Sequence, residues 1–359
     1  MKSAIKHFAV LLAVVLVIAA CSPAPAATTA PTAPPAAPAA TTAPAAPAAT
    51  TAPAAPAAAQ IQPATPTSCT TKHTMIFIPG QLSNPSQAAG WKELQKDAAA
   101  YCFNVSVIDG GGDAQVQANA VSAAVAQHPD AILVNPNDAK AIVPSLTAAK
   151  KAGVVVGLFM VANAPGTDSS INYFVTMNDI EGGKEAAQAI EKAFPNGATG
   201  VEVGGQAGHI AAINRHQGFT EGLKGSNITV LDYKNPQQWD AAQAQSIMED
   251  FITKYGNKIQ FVFCHWDGGA TGVINALQAA NMTNVMIVAV DGNQAAFKNI
   301  QTWPGTYISI GQSVPKITAL SLTEANKWIN KDPTAILPVY VPLDILNKDT
   351  IKNFPVPEW

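Results

Sequence analysis

The chain has 359 residues, a formal net charge of −3 and only 13% charged side chains. So weak and slightly acidic a balance excludes a basic face for nucleic acid and gives no charge excess to hold an anionic surface. Six histidines and four cysteines, with no CxxC pair and no His/Cys cluster at metal spacing, argue against zinc.

At the start, Lys2 and Lys6 precede an apolar run from Phe8 to Ala20. That run is shorter than the ~20 residues a membrane-spanning helix needs, and it has the basic-apolar-small order of a secretory signal. The ending Ile18-Ala19-Ala20-Cys21 resembles the bacterial lipobox, with Ile where Leu is commoner. The resemblance implies removal of residues 1–20, lipid attachment at Cys21 and a membrane-anchored, extracytoplasmic protein. Residues 21–68 follow as a linker, and from Ser22 to Pro66 almost every residue is Ala, Pro or Thr. With no charge and one large apolar residue, Ile61, this stretch cannot bury enough surface to offset its ordering entropy. Its proline content predicts a semi-rigid spacer. No later segment is long and apolar enough to span a bilayer.

From Cys69 onward the chain is long enough for two lobes of ordinary size. Export allows disulfides. Cys69 and Cys102 each lie shortly before a strand-like run, which predicts a bridge between them. Cys264 lies within an apolar run and is expected to be a buried free thiol.

Apolar runs of strand length recur at Met75–Ile78, Val105–Ile108, Ala131–Val134, Val154–Phe159, Ile171–Val175, Thr199–Val203, Ile228–Leu231, Gln260–Cys264, Val285–Val290 and Tyr307–Ile310. Between most of them lie helix-period segments: 87–100, 113–127, 139–152, 182–194, 209–224, 237–255 and 268–280. The alternation predicts an α/β protein with two doubly wound parallel-sheet lobes. A closed eight-fold barrel is the structural alternative, disfavoured because the alternation weakens between Val161 and Asn172. The expected lobes are 69–177 with 312–338, and 178–311 with 339–359, joined by a hinge of crossing strands.

In open α/β sheets ligands gather at the carboxyl ends of strands. Polar residues stand there repeatedly: Pro79 to Pro85, Asn135 to Asp138, His265-Trp266-Asp267, Asp291-Gly292 and Gly311-Gln312. Each alone is an ordinary turn; together they predict a lined cleft. The stretch Gly204–Phe219 reads as a strand end, a tight turn and a helix start. It carries His209 and Arg215, the only arginine in the sequence. A planar fork of donors, used once in a chain otherwise built on lysine, points to a specific hydrogen-bonding task.

In their order and spacing these segments (the SNP at Ser83-Asn84-Pro85, ILVNPND, NDIEGG, GHIAAINRHQGF, the WD at Trp239-Asp240, VFCHWD, VAVDG and ISIGQ) resemble the ribose- and galactose-binding type of periplasmic sugar-binding proteins that serve ABC importers. The resemblance spans roughly Thr74 to Leu343. It implies a non-enzymatic monomer that captures a sugar or polyol between its lobes and delivers it to an ABC permease, without cofactor, catalytic residue or metal. The implied ligand set is Asn84, Gln87, Asn135, Asn178, His209, Arg215, Trp239, Trp266, Asp291 and Gln312. Amides, a carboxylate and an arginine would satisfy hydroxyls while an indole covers a C–H face.

The lac-repressor type regulators share this core but begin with a DNA-binding helix-turn-helix, where this chain has a signal and a spacer. Two departures from the family pattern stand out. An Asp-Arg pair is common after the fourth strand, where this chain has Leu158-Phe159-Met160-Val161, and many members have Asn where Trp266 stands. Both make the pocket less polar and suggest a ligand covered by indoles on two sides: a larger, methylated, deoxygenated or cyclic-polyol compound rather than a simple pentose or hexose, with a nucleoside as a further alternative. An exported hydrolase is the enzymatic alternative, but no GxSxG, HExxH or P-loop is present. A sensory module presenting ligand to a membrane receptor would share the same features.

Overall fold

The computed structural model describes residues 63–66 and 68–359. The expected signal sequence, the lipid-bearing Cys21 and nearly all of the Ala/Pro/Thr-rich spacer lie outside the described residues.

The first sheet is built by β1 (His73–Ile78), β2 (Phe103–Val107), β3 (Ala131–Val134), β4 (Val155–Phe159) and β5 (Tyr173–Met177). Helices α1 (Pro85–Asp97), α2 (Ala114–Val125) and α3 (Val143–Lys151) link its successive strands, up to β4. The chain then crosses into α4 (Asp179–Ala193) and a second series: β6 (Ala198–Val203), α5 (Ile210–Gly222), β7 (Ile228–Lys234), α6 (Ala241–Tyr255), β8 (Phe261–Cys264), α7 (Asp267–Ala279), β9 (Met286–Asp291), α8 (Gln294–Thr302) and β10 (Tyr307–Gly311). It returns through α9 (Val314–Ile329) to two short strands, β11 (Val339–Val341) and β12 (Asp344–Leu346).

The sheets run β11-β5-β4-β3-β1-β2 and β12-β10-β9-β8-β6-β7, so the two lobes repeat one strand order. Every pairing is parallel except β10 with β12. A parallel sheet covered on both faces needs continuous apolar strands, and β3, β5, β8 and β9 are buried along their whole length. Three connections cross between lobes: Met177 to Asp179, Gly311 to Val314, and Val341 to Asp344. The last falls later than the expected boundary after Pro338, because Val339–Val341 pairs with β5 and so extends the first sheet.

Two glycines decide how closely α4 and α5 pack. A Cβ on Gly183 would meet the Arg215 carbonyl, and one on Gly218 would meet the Ile180 carbonyl. With neither present the helix backbones touch, and Asp179 at the start of α4 meets Arg215 from the middle of α5.

Cys69 and Cys102 are joined by a disulfide closing a separation of 33 residues, worth about 3–4 kcal/mol on loop entropy. Both cysteines precede their strands, so the bridge lies at the amino-terminal edge of the first sheet. Nearby, Ala64 N–H donates to the Thr323 hydroxyl of α9 at 3.2 Å. Cys264 is a buried free thiol whose pKa burial pushes well up. Among the described residues no helix is long and apolar enough to cross a membrane.

Candidate ligand-binding cleft

Between the carboxyl ends of the two sheets lies a cavity of about 250 Å³. Ligand clefts usually span about 300–1,000 Å³, so this one suits a small solute. The helices that follow the strands start at its wall, and several wall residues are therefore helix caps. Asn84 caps α1, its Oδ1 accepting from Ser86 N–H at 3.0 Å and from the Ser86 hydroxyl at 2.8 Å. That leaves its NH2 to serve a ligand. His209 caps α5 through Nδ1, which accepts from Ala211 N–H at 3.3 Å. Its Nε2 is then the protonated nitrogen and donates across the cleft to Asn135 Oδ1 at 3.3 Å. Asp240 caps α6, so the helix starts at Ala241 rather than at Gln237. Trp239 therefore precedes the helix, and its ring lines the cavity.

Nine of the ten expected ligand residues line this cavity: Asn84, Gln87, Asn135, His209, Arg215, Trp239, Trp266, Asp291 and Gln312. Asn178 does not. Its side chain accepts from Glu181 N–H at 3.2 Å and caps α4, three residues earlier than the periodicity placed that helix, so its oxygen is turned into the first crossing. Gln87 is largely occupied too: its Oε1 accepts from Gly80 N–H at 2.5 Å and Gln81 N–H at 3.2 Å, tying down the loop after β1. Asn293 and Trp359 line the cavity without having been singled out in the sequence, and Met160 lines it too. Met160 stands where the resemblance would place a charged pair, and makes that wall apolar.

Arg215 is 3% exposed. Its Nε donates to Asp179 Oδ1 at 2.9 Å, Nη1 donates to the His265 carbonyl, and Nη1 lies 3.9 Å from Asp291 Oδ1. The guanidinium carbon sits 5.8 Å from the centre of the Trp239 ring. Behind it, Glu202 accepts from His265 Nε2 at 2.7 Å and His216 Nδ1 at 2.9 Å. Burial alone would raise the Glu202 pKa, but these hydrogen bonds outweigh it and hold it below the usual carboxylate range. Asp267 accepts from the Tyr307 hydroxyl, the Ser309 hydroxyl and Gly292 N–H, each at 2.7 Å, and so fixes the turn that presents Asp291.

The two indoles do not form facing slabs. Trp239 and Trp266 meet edge to face, 5.3 Å apart at 84°, and His209 meets Trp239 at 86°. No ligand slot separates those rings; they make one apolar corner of the cavity. Gly205 allows it, since a Cβ there would run into the Trp239 ring. On the polar side, Gln312 Nε2 donates to Asp291 Oδ1 at 3.1 Å, while Gln312 Oε1 is buried without a partner. Gln312 lines the cavity, and a ligand hydroxyl that reached this unsatisfied acceptor would complete it. Asp291 itself has φ 122°, a conformation held against strain by the surrounding hydrogen bonds.

A sequence profile described as a periplasmic binding protein domain matches residues 75–330. The chain belongs to the periplasmic binding protein family. It is 27% identical to the ribose import binding protein of Escherichia coli (strain K12) over 221 residues, 62% of this chain and 73% of that protein. It is 25% identical to the xylitol-binding protein of Mycolicibacterium smegmatis (strain ATCC 700084 / mc(2)155) over 258 residues, 71% and 72% of the two chains. Among solved structures it superposes on a galactofuranose binding protein with TM-score 0.73 at 24% identity, covering 78% of this chain and 96% of that one. The Caulobacter myo-inositol binding protein gives TM-score 0.73 at 22% identity, covering 78% and 95%. The structural matches establish the shared two-lobed fold.

In this periplasmic binding protein the cavity carries no net positive charge, because Arg215 is answered by Asp179 and Asp291. His209 adds none: burial first, then Arg215, lowers its pKa to about 3, so it stays neutral. Burial raises Asp291 to about 6, with Arg215 and the Gln312 hydrogen bond pulling the other way. The consequence has a definite sign. Were ligand hydroxyls to donate to the ionised carboxylate, affinity should be full above about pH 6 and fall as pH drops through it, approaching tenfold per unit. Titration calorimetry between pH 5 and 8 checks this, with Asp291→Asn expected to flatten the profile. An affinity independent of pH would remove Asp291 from the set of ligand acceptors.

Proposed function

We propose that the chain is a solute receptor that captures a neutral polyhydroxylated ligand, a sugar or cyclic polyol, and delivers it unchanged to an ABC permease. The observation that carries this is the Arg215–Asp179–Asp291 cluster, one guanidinium held by two carboxylates, beside a corner of indoles in a small cavity between two lobes. With its one guanidinium already answered by two carboxylates, the site disfavours a phosphate or carboxylate ligand. Directed donors and acceptors suit hydroxyls, and the indoles suit the C–H face of a ring. Relatives named for ribose import and for xylitol binding support the ligand class.

The lobes already meet across the cleft, with Gln206 Nε2 donating to the Asn137 carbonyl at 3.4 Å and His209 to Asn135. Closure about the three crossings would bury a ligand between them. In our reading the protein works as a monomer outside the cell membrane, tethered through lipid at Cys21, and no residue acts as a catalyst. We place Asn84, Asn135, His209, Arg215, Trp239, Trp266, Asp291 and Gln312 in direct reach of the ligand.

A thermal-shift screen over ribose, galactose, xylitol and myo-inositol tests the reading. A true ligand at a hundred times its dissociation constant should stabilise the fold by about 2.7 kcal/mol. Mass spectrometry should recover it intact after release. No shift with any neutral polyhydroxyl compound, or recovery of a cleaved product, would reject the proposal.

A further inference from the structure

The last described stretch, Phe354-Pro355-Val356-Pro357-Glu358-Trp359, contains two prolines and forms neither helix nor strand. Proline fixes φ and removes a donor, so such a segment runs extended and is held by its side chains and remaining carbonyls. Phe354 packs into the apolar cluster of the second lobe. At the other end the Trp359 carbonyl accepts from Gln294 N–H, at the start of α8, at 2.6 Å. Both anchors therefore belong to the second lobe.

Between those anchors the segment reaches the first lobe. Val356 to Trp359 lie along a groove whose other wall is Pro85, Ala88 and Lys92 of α1. Glu358 pairs with Lys92 at 2.5 Å, with both side chains mostly exposed, so the pair orients the segment more than it holds it. The Trp359 side chain is half-buried, packs against an apolar cluster drawn from both lobes, and lines the ligand cavity beside Pro85 and Ser86 of the first lobe. An indole tied to one lobe thus forms part of the cavity wall at the other.

We propose that Trp359 is a specificity-determining residue: a third indole, carried by the second lobe, that closes the α1 side of the cavity and favours ring-shaped ligands over open-chain ones. A ring presents a fixed C–H face for the indole to cover, whereas an open chain must lose rotational freedom to present one. The inference rests on the reading of the cleft as a site for neutral polyhydroxylated ligands.

The test is titration calorimetry of the full chain with myo-inositol, ribose, xylitol and glycerol, comparing wild type with Trp359→Ala, Trp359→Phe and Glu358→Gln. Trp359→Ala should weaken the tightest cyclic ligand by about 10–100-fold and open-chain ligands by less than about threefold. Trp359→Phe should recover most of that loss. Glu358→Gln should leave the ranking unchanged, and urea unfolding of ligand-free Trp359→Phe and Glu358→Gln should match wild type. Equal losses for cyclic and open-chain ligands, or no loss at all, would overturn the assignment of Trp359 while leaving the proposed function standing. Failure of the wild type to bind any of these compounds would overturn both.

Discussion

Arg215→Ala should lose ligand-induced stabilisation entirely and should also lower the stability of the free protein by about 3–5 kcal/mol, the range seen when one partner of a buried ion pair is removed. The second effect follows from Asp179, which is 2% exposed and whose Oδ2 has no hydrogen-bond partner. With the guanidinium gone, its carboxylate would be buried without compensation. Adding Asp179→Asn to the same chain should restore more than half of the lost stability, because the orphaned charge is gone, but none of the binding. Urea denaturation with and without ligand measures both quantities. If the double variant were no more stable than the single one, the account of Asp179 as a buried counter-charge would fail. If Arg215→Ala still responded to ligand, the site itself would be misplaced.

Trp239→Ala should weaken binding by about 30–150-fold, or about 2–3 kcal/mol, as expected for removal of an aromatic anchor. Trp239 is the ring against which the other groups are set: His209 and Trp266 meet it nearly at right angles and Arg215 lies over it. Truncation therefore removes the apolar surface and frees three neighbours at once. Trp239→Phe keeps a ring and should lose about tenfold or less. Most of the change should appear in the dissociation rate, since the approach to the cleft is unaltered. Stopped-flow tryptophan fluorescence, with calorimetry for the equilibrium constant, separates the two rates. A binding constant within twofold of wild type for the alanine variant would show that the indole packs the cleft without touching ligand.

Ten strands and seven helices were legible in the sequence because parallel strands and their covering helices differ so plainly in period. The failures have physical causes. β11 and β12 have three residues each, too few for any period, and Pro342 separates them. Which sheet each joins is set by pairing partners far away in the chain. The helix α9 buries Thr318, Ser321, Thr323 and Glu324 among Val314, Ile317, Leu320 and Ala325, so polar residues interrupt the apolar face that would mark it. Glu324 is tolerated there because it accepts from Lys327 Nζ at 2.8 Å and Ile336 N–H at 2.9 Å.

The cleft was legible as a set of strand ends, since topology alone sends them to one side. The roles of individual residues were less so. Asn178 has the residue type of a ligand contact and the position of a cap, and the cap took its oxygen. Glu202 sits inside the apolar run Ala198–Val203, where only the imidazoles of His265 and His216 reveal its purpose. Ring orientation is invisible to sequence, and so the paired indoles were expected to face a ligand from two sides rather than to form one corner.

The bridge between Cys69 and Cys102 lies at the foot of the first sheet, far from the crossings. Any tension transmitted along the upstream chain therefore enters β2 and the frame of the first lobe, and bypasses the pivot. Under the proposed tether at Cys21, one jaw would take the strain of the leash, while the jaw bearing Arg215, Trp239 and Asp291 would be left free to swing.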